Sequence, residues 1–236
     1  MKGRIAELDF LKCIFILLMI VFHLAYIGDK YPYAKSLVYT FHMPAFLIIS
    51  GYLMNVEKEI RPFLRMIVWI FIPYAVMESG YVIVSSVLPV RGGVDELGWG
   101  VWLEKLFLHP VGPYWYLHTL IVCGLTYYVA FRLFRNRRSL ISFFIVVGLL
   151  YAAEAAWAGV VSLPNAFYFL AGAVLRRTSV GFCSFFRPSL WAVLPFVWLA
   201  SDMSNLDRAL VPGVLLTYLA VSLSLVLYRC LPERFV

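Results

Sequence analysis

Between residues 8 and 228 the chain returns eight times to a long apolar run, and short polar segments separate the runs. They cover roughly 8–28, 34–54, 66–90, 113–133, 139–158, 160–175, 188–201 and 209–228. A span of the bilayer core needs about 20 mainly apolar residues in a helix, because lipid offers the backbone no hydrogen bonds. The sixth and seventh runs are short on that measure. The chain is 63% hydrophobic and only 14% charged over 236 residues. A soluble domain is about a quarter charged, so this chain has too little charge to cover itself with a polar surface. The expected fold is all-α, a polytopic transmembrane helix bundle of about eight spans, forming a single integral-membrane domain over 1–236. The first run leads directly into a second and reads as a retained span, not a cleaved leader.

The basic residues fix an orientation. Lys2, Arg4, Lys58, Arg61, Arg65, Arg132, Arg135, Arg137, Arg138, Arg176, Arg177, Arg187, Arg229 and Arg234 fall in alternate polar segments. The segments between them hold only Lys30, Lys35, Arg91, Lys105 and Arg208. Positive charge favours the cytoplasmic side, so both termini are expected inside. The net charge of +7 is therefore a membrane signature. It is no nucleic-acid footprint, because the cations sit in short clusters between apolar runs. Cys13, Cys123, Cys183 and Cys230 show no metal-binding or redox spacing and read as unpaired. In the longest outer loop, "VWLEKLFLHP" reads either as a short amphipathic segment at the interface, with Trp99 and Trp102 at a suitable depth, or as ordinary loop.

That orientation assigns heights to the polar residues inside the runs. His23 lies roughly 8 Å, and His42 roughly 12 Å, from the outer ends of the first two spans. Glu78, His118 and Glu154 also fall in the outer half. Lys12 lies at the inner end of the first span, eleven residues before His23 and hence about three turns and 16 Å away on the same face. Ser50 and Gly51 lie near the inner end of the second span, and Arg61 and Arg65 are placed in the loop after it. Ionisable groups at such depth are costly unless they face a cavity or a partner, and so are functional candidates. An imidazole removed from water is neutral and can act as general base towards a hydroxyl. The inner cations suit an anionic ligand such as a phosphate. No HxxxH or HExxH pair is present, and no metal site is expected.

"RIAELDFLKCIFILLMIVFH", with a cation, ten residues and a histidine, resembles the opening of the membrane-bound acyltransferase family 3. "FHMPAFLIISGYL", "RPFLRMIVWIFIPY", "PYWYLHTL" and "FYFLAGAVLRR" resemble its later segments, in the same order. The resemblance implies an integral-membrane O-acyltransferase in a cell's inner membrane. Such an enzyme moves an acyl group, commonly acetyl, from acyl-CoA to a sugar hydroxyl of a surface polysaccharide or its lipid-linked precursor. His23 would be the base, with Glu78 beside it. Lys12, His42, Ser50, Gly51, Arg61, Arg65, Trp115 and His118 would bind substrate, with Arg61 and Arg65 on the coenzyme's phosphates. No permanently bound cofactor is implied; acyl-CoA is a donor substrate. Two departures stand out. Arg61 and Arg65 are spaced R-x-x-x-R where R-x-x-R is common. Family members often have about ten spans, so the expectation from the resemblance is either a compact member or one without a final hairpin. A saccharide exporter or proton-coupled transporter is the alternative that the buried polar groups allow.

Overall fold

The computed structural model describes residues 5–88, 93–94, 96–134, 139–178 and 180–231. Lys2, Arg4, Arg91, Arg135, Arg137, Arg138 and Arg234 lie outside the described residues. Among the described residues every regular element is a helix. In order these are α1 (Ala6–His23), α2 (Ala25–Gly28), α3 (Pro32–Leu53), α4 (Ile60–Ser85), α5 (Trp99–Phe107), α6 (Trp115–Leu133), α7 (Leu140–Ala153), α8 (Leu163–Arg177), α9 (Phe182–Phe185), α10 (Val193–Ala200) and α11 (Val211–Cys230). Among the described residues, five helical segments are long and apolar enough to cross a membrane: Pro32–Leu53, Ile60–Ser85, Trp99–Leu133, Leu140–Ala158 and Val211–Cys230. The other three runs also fold as helix. Of these, α1 carries Glu7, Asp9 and Lys12, and α8 and α10 are shorter.

Two boundaries differ from the sequence reading. The first run breaks at Leu24, whose ψ of 116° is extended, so α1 ends on His23 and α2 is a separate turn. The helix of the third run, α4, begins at Ile60, several residues before the apolar run. Arg61 and Arg65 are therefore helical and not in a loop. Pro62 permits this, because proline's missing N–H is no loss in a first turn whose amides lack intrahelical acceptors.

The chain divides into two compact units, Met1–Tyr52 with Ala171–Val236, and Leu53–Leu170. In the first, α3 is the core: Phe41 to Ile49 are buried without a break, so this helix is covered all round. Phe15 of α1 meets Phe41 and Phe46 edge-on, with ring centroids 6.2 and 6.1 Å apart. Phe10 packs on Tyr228 of α11 at 5.3 Å. The part of α8 beyond Ala171 touches α3 backbone to backbone at Gly172. A Cβ there would collide with the Ile48 carbonyl and lie 2.8 Å from the Tyr52 nitrogen. Small residues allow such an approach, and apolar helices in lipid depend on close packing.

In the second unit Phe63 of α4 stacks on Tyr128 of α6 at 3.8 Å. Tyr151 of α7 donates its hydroxyl proton to the Cys123 carbonyl at 2.8 Å. The segment Trp99–Phe107 is helix and not irregular loop. Trp102 Nε1 donates to Ser79 Oγ at 2.9 Å and fastens α5 to α4.

Candidate active site

Because α1 stops at His23, the imidazole sits on its last turn and is exposed. Its Nδ1 is 2.8 Å from the carbonyl oxygen of Met19, one turn back. A carbonyl only accepts, so Nδ1 carries the ring proton and donates it to Met19. The neutral ring then has its lone pair on Nε2. Tyr39 of α3 lies alongside, its hydroxyl donating to the Phe22 carbonyl at 3.3 Å and its oxygen 3.3 Å from His23 Nδ1. The Tyr39 ring is 5.4 Å from that of His23 and 5.2 Å from that of His42.

Tyr39 and His42 are three residues apart on α3 and hence on one face. His42 repeats the His23 arrangement: Nδ1 donates to the Val38 carbonyl at 2.7 Å, and Nε2 is buried with no hydrogen-bond partner. The first unit thus brings together two imidazoles of the same tautomer with a phenol between them. The sequence reading singled out both histidines and missed Tyr39. The available signal was its helical spacing from His42.

A cavity of about 390 Å³ opens against Tyr39, lined by Lys35, Ser36, Tyr39, Thr40, Leu206, Asp207 and Arg208. All of these lie in the first turns of α3 or in the segment just before α11.

Lys12 is in the same unbroken helix as His23, three turns nearer the amino end. Its Nζ pairs with Asp9 Oδ1 at 2.7 Å. Ser50 and the buried Gly51 occupy the last turns of α3. Beside them the Arg176 guanidinium lies 5.6 Å from the centre of the Tyr52 ring.

The other predicted residues belong to the second unit. Arg61 and Arg65 are exposed, one turn apart, at the start of α4. Glu78 is fully buried at 0% exposure. Its Oε1 accepts from the Val111 amide at 2.6 Å, and its Oε2 is buried without a partner. His118 is also buried, with Nε2 donating to the Phe107 carbonyl at 3.0 Å. The hydroxyl of Tyr74 donates to the Leu106 carbonyl at 2.8 Å. Leu106 and Phe107 end α5, where carbonyls have no intrahelical donor. Glu78, His118 and Tyr74 thus supply the hydrogen bonds that α5 and its following loop lack. Trp115 opens α6, its ring 6.5 Å from that of Tyr116.

Among the described residues, no three His, Cys, Asp or Glu side chains form a group that could hold a metal ion. The described residues can therefore offer a base, a phenol, a polar cavity and separate cationic helix ends.

The sequence matches the acyltransferase domain of acyltransferase family 3 over residues 5–235. No curated protein and no solved structure shows significant similarity to the chain. A match over nearly the whole length establishes that the chain belongs to acyltransferase family 3, a family of membrane acyltransferases.

Proposed function

We propose that this member of acyltransferase family 3 transfers an acyl group, acetyl in the simplest case, from acyl-CoA to a sugar hydroxyl, with His23 as general base. The acceptor class is a surface polysaccharide or its lipid-linked precursor, and the location is a cell's inner membrane. The observation that carries the assignment is the bond from His23 Nδ1 to the Met19 carbonyl at 2.8 Å, which leaves Nε2 as the proton acceptor on an exposed ring. A base must have such a free nitrogen within reach of the hydroxyl it activates.

The chemistry balances on one imidazole. Nε2 takes the proton of the acceptor hydroxyl while that oxygen bonds to the acyl carbon. The carbon–sulfur bond breaks, and the departing thiolate recovers the proton from the imidazolium. The products are an ester and free CoA thiol. The Met19 carbonyl orients the ring throughout and stabilises the imidazolium while it carries the extra proton. Tyr39 packs against the ring and limits its rotation. At the other end of α1, Lys12, which is ion-paired with Asp9, is the cation we assign to the donor. Arg61 and Arg65, one turn apart at the start of α4, present paired guanidiniums of the kind that grip phosphate. We assign them to the phosphates of the coenzyme.

The test is acetyl transfer by the purified chain in detergent, using radiolabelled acetyl-CoA and a glycan extract as acceptor. General-base assistance is worth roughly a hundred- to ten-thousand-fold in rate. His23→Ala should lose that factor while its yield in membranes stays at the wild-type level. Full activity in His23→Ala would remove the assignment.

A further inference from the structure

We propose that the cavity against Tyr39 is an acceptor pocket for an acidic sugar, and that Arg208 and Lys35 bind the sugar's oxyanion. This rests on the acyltransferase reading with His23 as base.

The pocket's lining is that of a saccharide site. It combines an aromatic wall (Tyr39), two hydroxyls (Ser36 and Thr40), one carboxylate (Asp207) and two cations (Lys35 and Arg208). Its volume of about 390 Å³ is ample for a monosaccharide unit with its hydration. Thr40 fixes the back of the pocket. Its Oγ1 is 2.9 Å from both the Ser36 and the Leu206 carbonyls, which ties α3 to the loop carrying Asp207 and Arg208. Gly213 lets α11 start hard against that loop, since a Cβ there would strike the Asp207 carbonyl.

The charges favour an anion. Asp207 Oδ1 accepts from the Ala209 amide at 2.8 Å and keeps its charge, so two cations face one carboxylate and the lining is positive by one charge. Lys35 Nζ is 3.3 Å from Asp29 Oδ1, but the Asp29 side chain is 75% exposed. Such a water-screened pair is weak and yields readily to a better-placed anion. Lys35 Nζ also lies 5.9 Å from the centre of the Tyr39 ring, so it stands over the wall shared with the base. Arg208 shares this lining with Tyr39, whose ring is 5.2 Å from that of His42. An oxyanion held by these two cations would place the rest of its sugar over Tyr39, the ring that contacts His23. The oxyanion is either a uronate carboxylate or the phosphate of a lipid-linked precursor. The same two side chains recognise both.

The experiment measures equilibrium binding of radiolabelled glucuronate, glucose 1-phosphate and glucose to the purified full chain in detergent. At least one acidic sugar should bind roughly ten-fold or more tightly than glucose, as a charge-assisted contact requires. Preference for glucuronate points to a uronate acceptor, and preference for glucose 1-phosphate to a phosphate-linked one. Arg208→Gln and Lys35→Gln should each reduce the preference. If Arg208→Gln does not fold, salt provides the second measurement on the wild-type chain. Raising it from about 0.1 M to about 1 M shortens the screening length from about 10 to about 3 Å and should weaken the acidic sugar selectively. Equal binding of all three sugars overturns the proposal, as does a preference that survives both substitutions or high salt. Binding of the acidic sugar is read without any transfer step, so a His23→Ala protein that transfers acetyl at the wild-type rate removes His23 as the base and leaves the binding result intact, whereas no acetyl transfer by the wild-type chain would sink the acyltransferase reading.

Discussion

The oxygen of Tyr39 lies 3.3 Å from Nδ1 of His23, and the two rings pack with centroids 5.4 Å apart. That nitrogen is already committed to the Met19 carbonyl at 2.8 Å. The phenol therefore holds the imidazole in place and does not exchange its proton with it.

Tyr39→Phe keeps the packing and loses the hydroxyl contact. A typical hydrogen bond contributes about 1 kcal/mol net, so kcat should fall roughly five-fold with the KM for acetyl-CoA unchanged. Tyr39→Ala removes the ring and should cost substantially more. Equal rates for Tyr39→Ala and wild type would show that the ring has no positioning role.

Glu78 is expected to act through the Val111 amide. Glu78→Gln keeps an oxygen in reach of that N–H and should retain most of the wild-type stability. Glu78→Ala leaves the amide buried and unpaired, at a cost of about 1–3 kcal/mol. Thermal unfolding in detergent measures the difference. An unchanged midpoint for Glu78→Ala would mean that the bond to Val111 contributes nothing.

Gly172→Ala tests the contact between α8 and α3. The added methyl meets the Ile48 carbonyl, and overpacking of this kind costs typically about 1–3 kcal/mol. The variant should melt earlier and give less folded protein. Gly80, with nothing within 4 Å of its would-be Cβ, is the control, and Gly80→Ala should match wild type or exceed it.

Arg61→Gln with Arg65→Gln should raise the KM for acetyl-CoA about ten-fold, since charge-assisted bonds to phosphate are lost, with kcat little altered. The wild-type KM should rise with salt and the double variant's much less. Comparable salt dependence in both proteins would assign the phosphates to other cations.

Much of this protein was legible before any coordinates. Among the described residues each of the eight runs folds mainly as helix, and the interval between Lys12 and His23 is realised as three turns of one unbroken helix. Both outcomes follow from local rules. A backbone in lipid must bond to itself within a few residues, and a helix repeats every 3.6 residues whatever surrounds it. The misplacement of Arg61 and Arg65 has a local origin too, because a polar flank and a proline resemble a loop but are compatible with a first helical turn.

The sequence alone determined the membrane-helix class, the candidate base and the cation at the other end of its helix, because composition and periodicity are carried by neighbouring residues. Only the tertiary structure decided what each polar group does. It set Tyr39 against His23, gave the Glu78 carboxylate to Val111 across 33 positions, brought Gly172 onto Ile48, and assembled a cavity from residues near 35 and near 207. Those pairings depend on which apolar faces pack together, and no local periodicity encodes that choice.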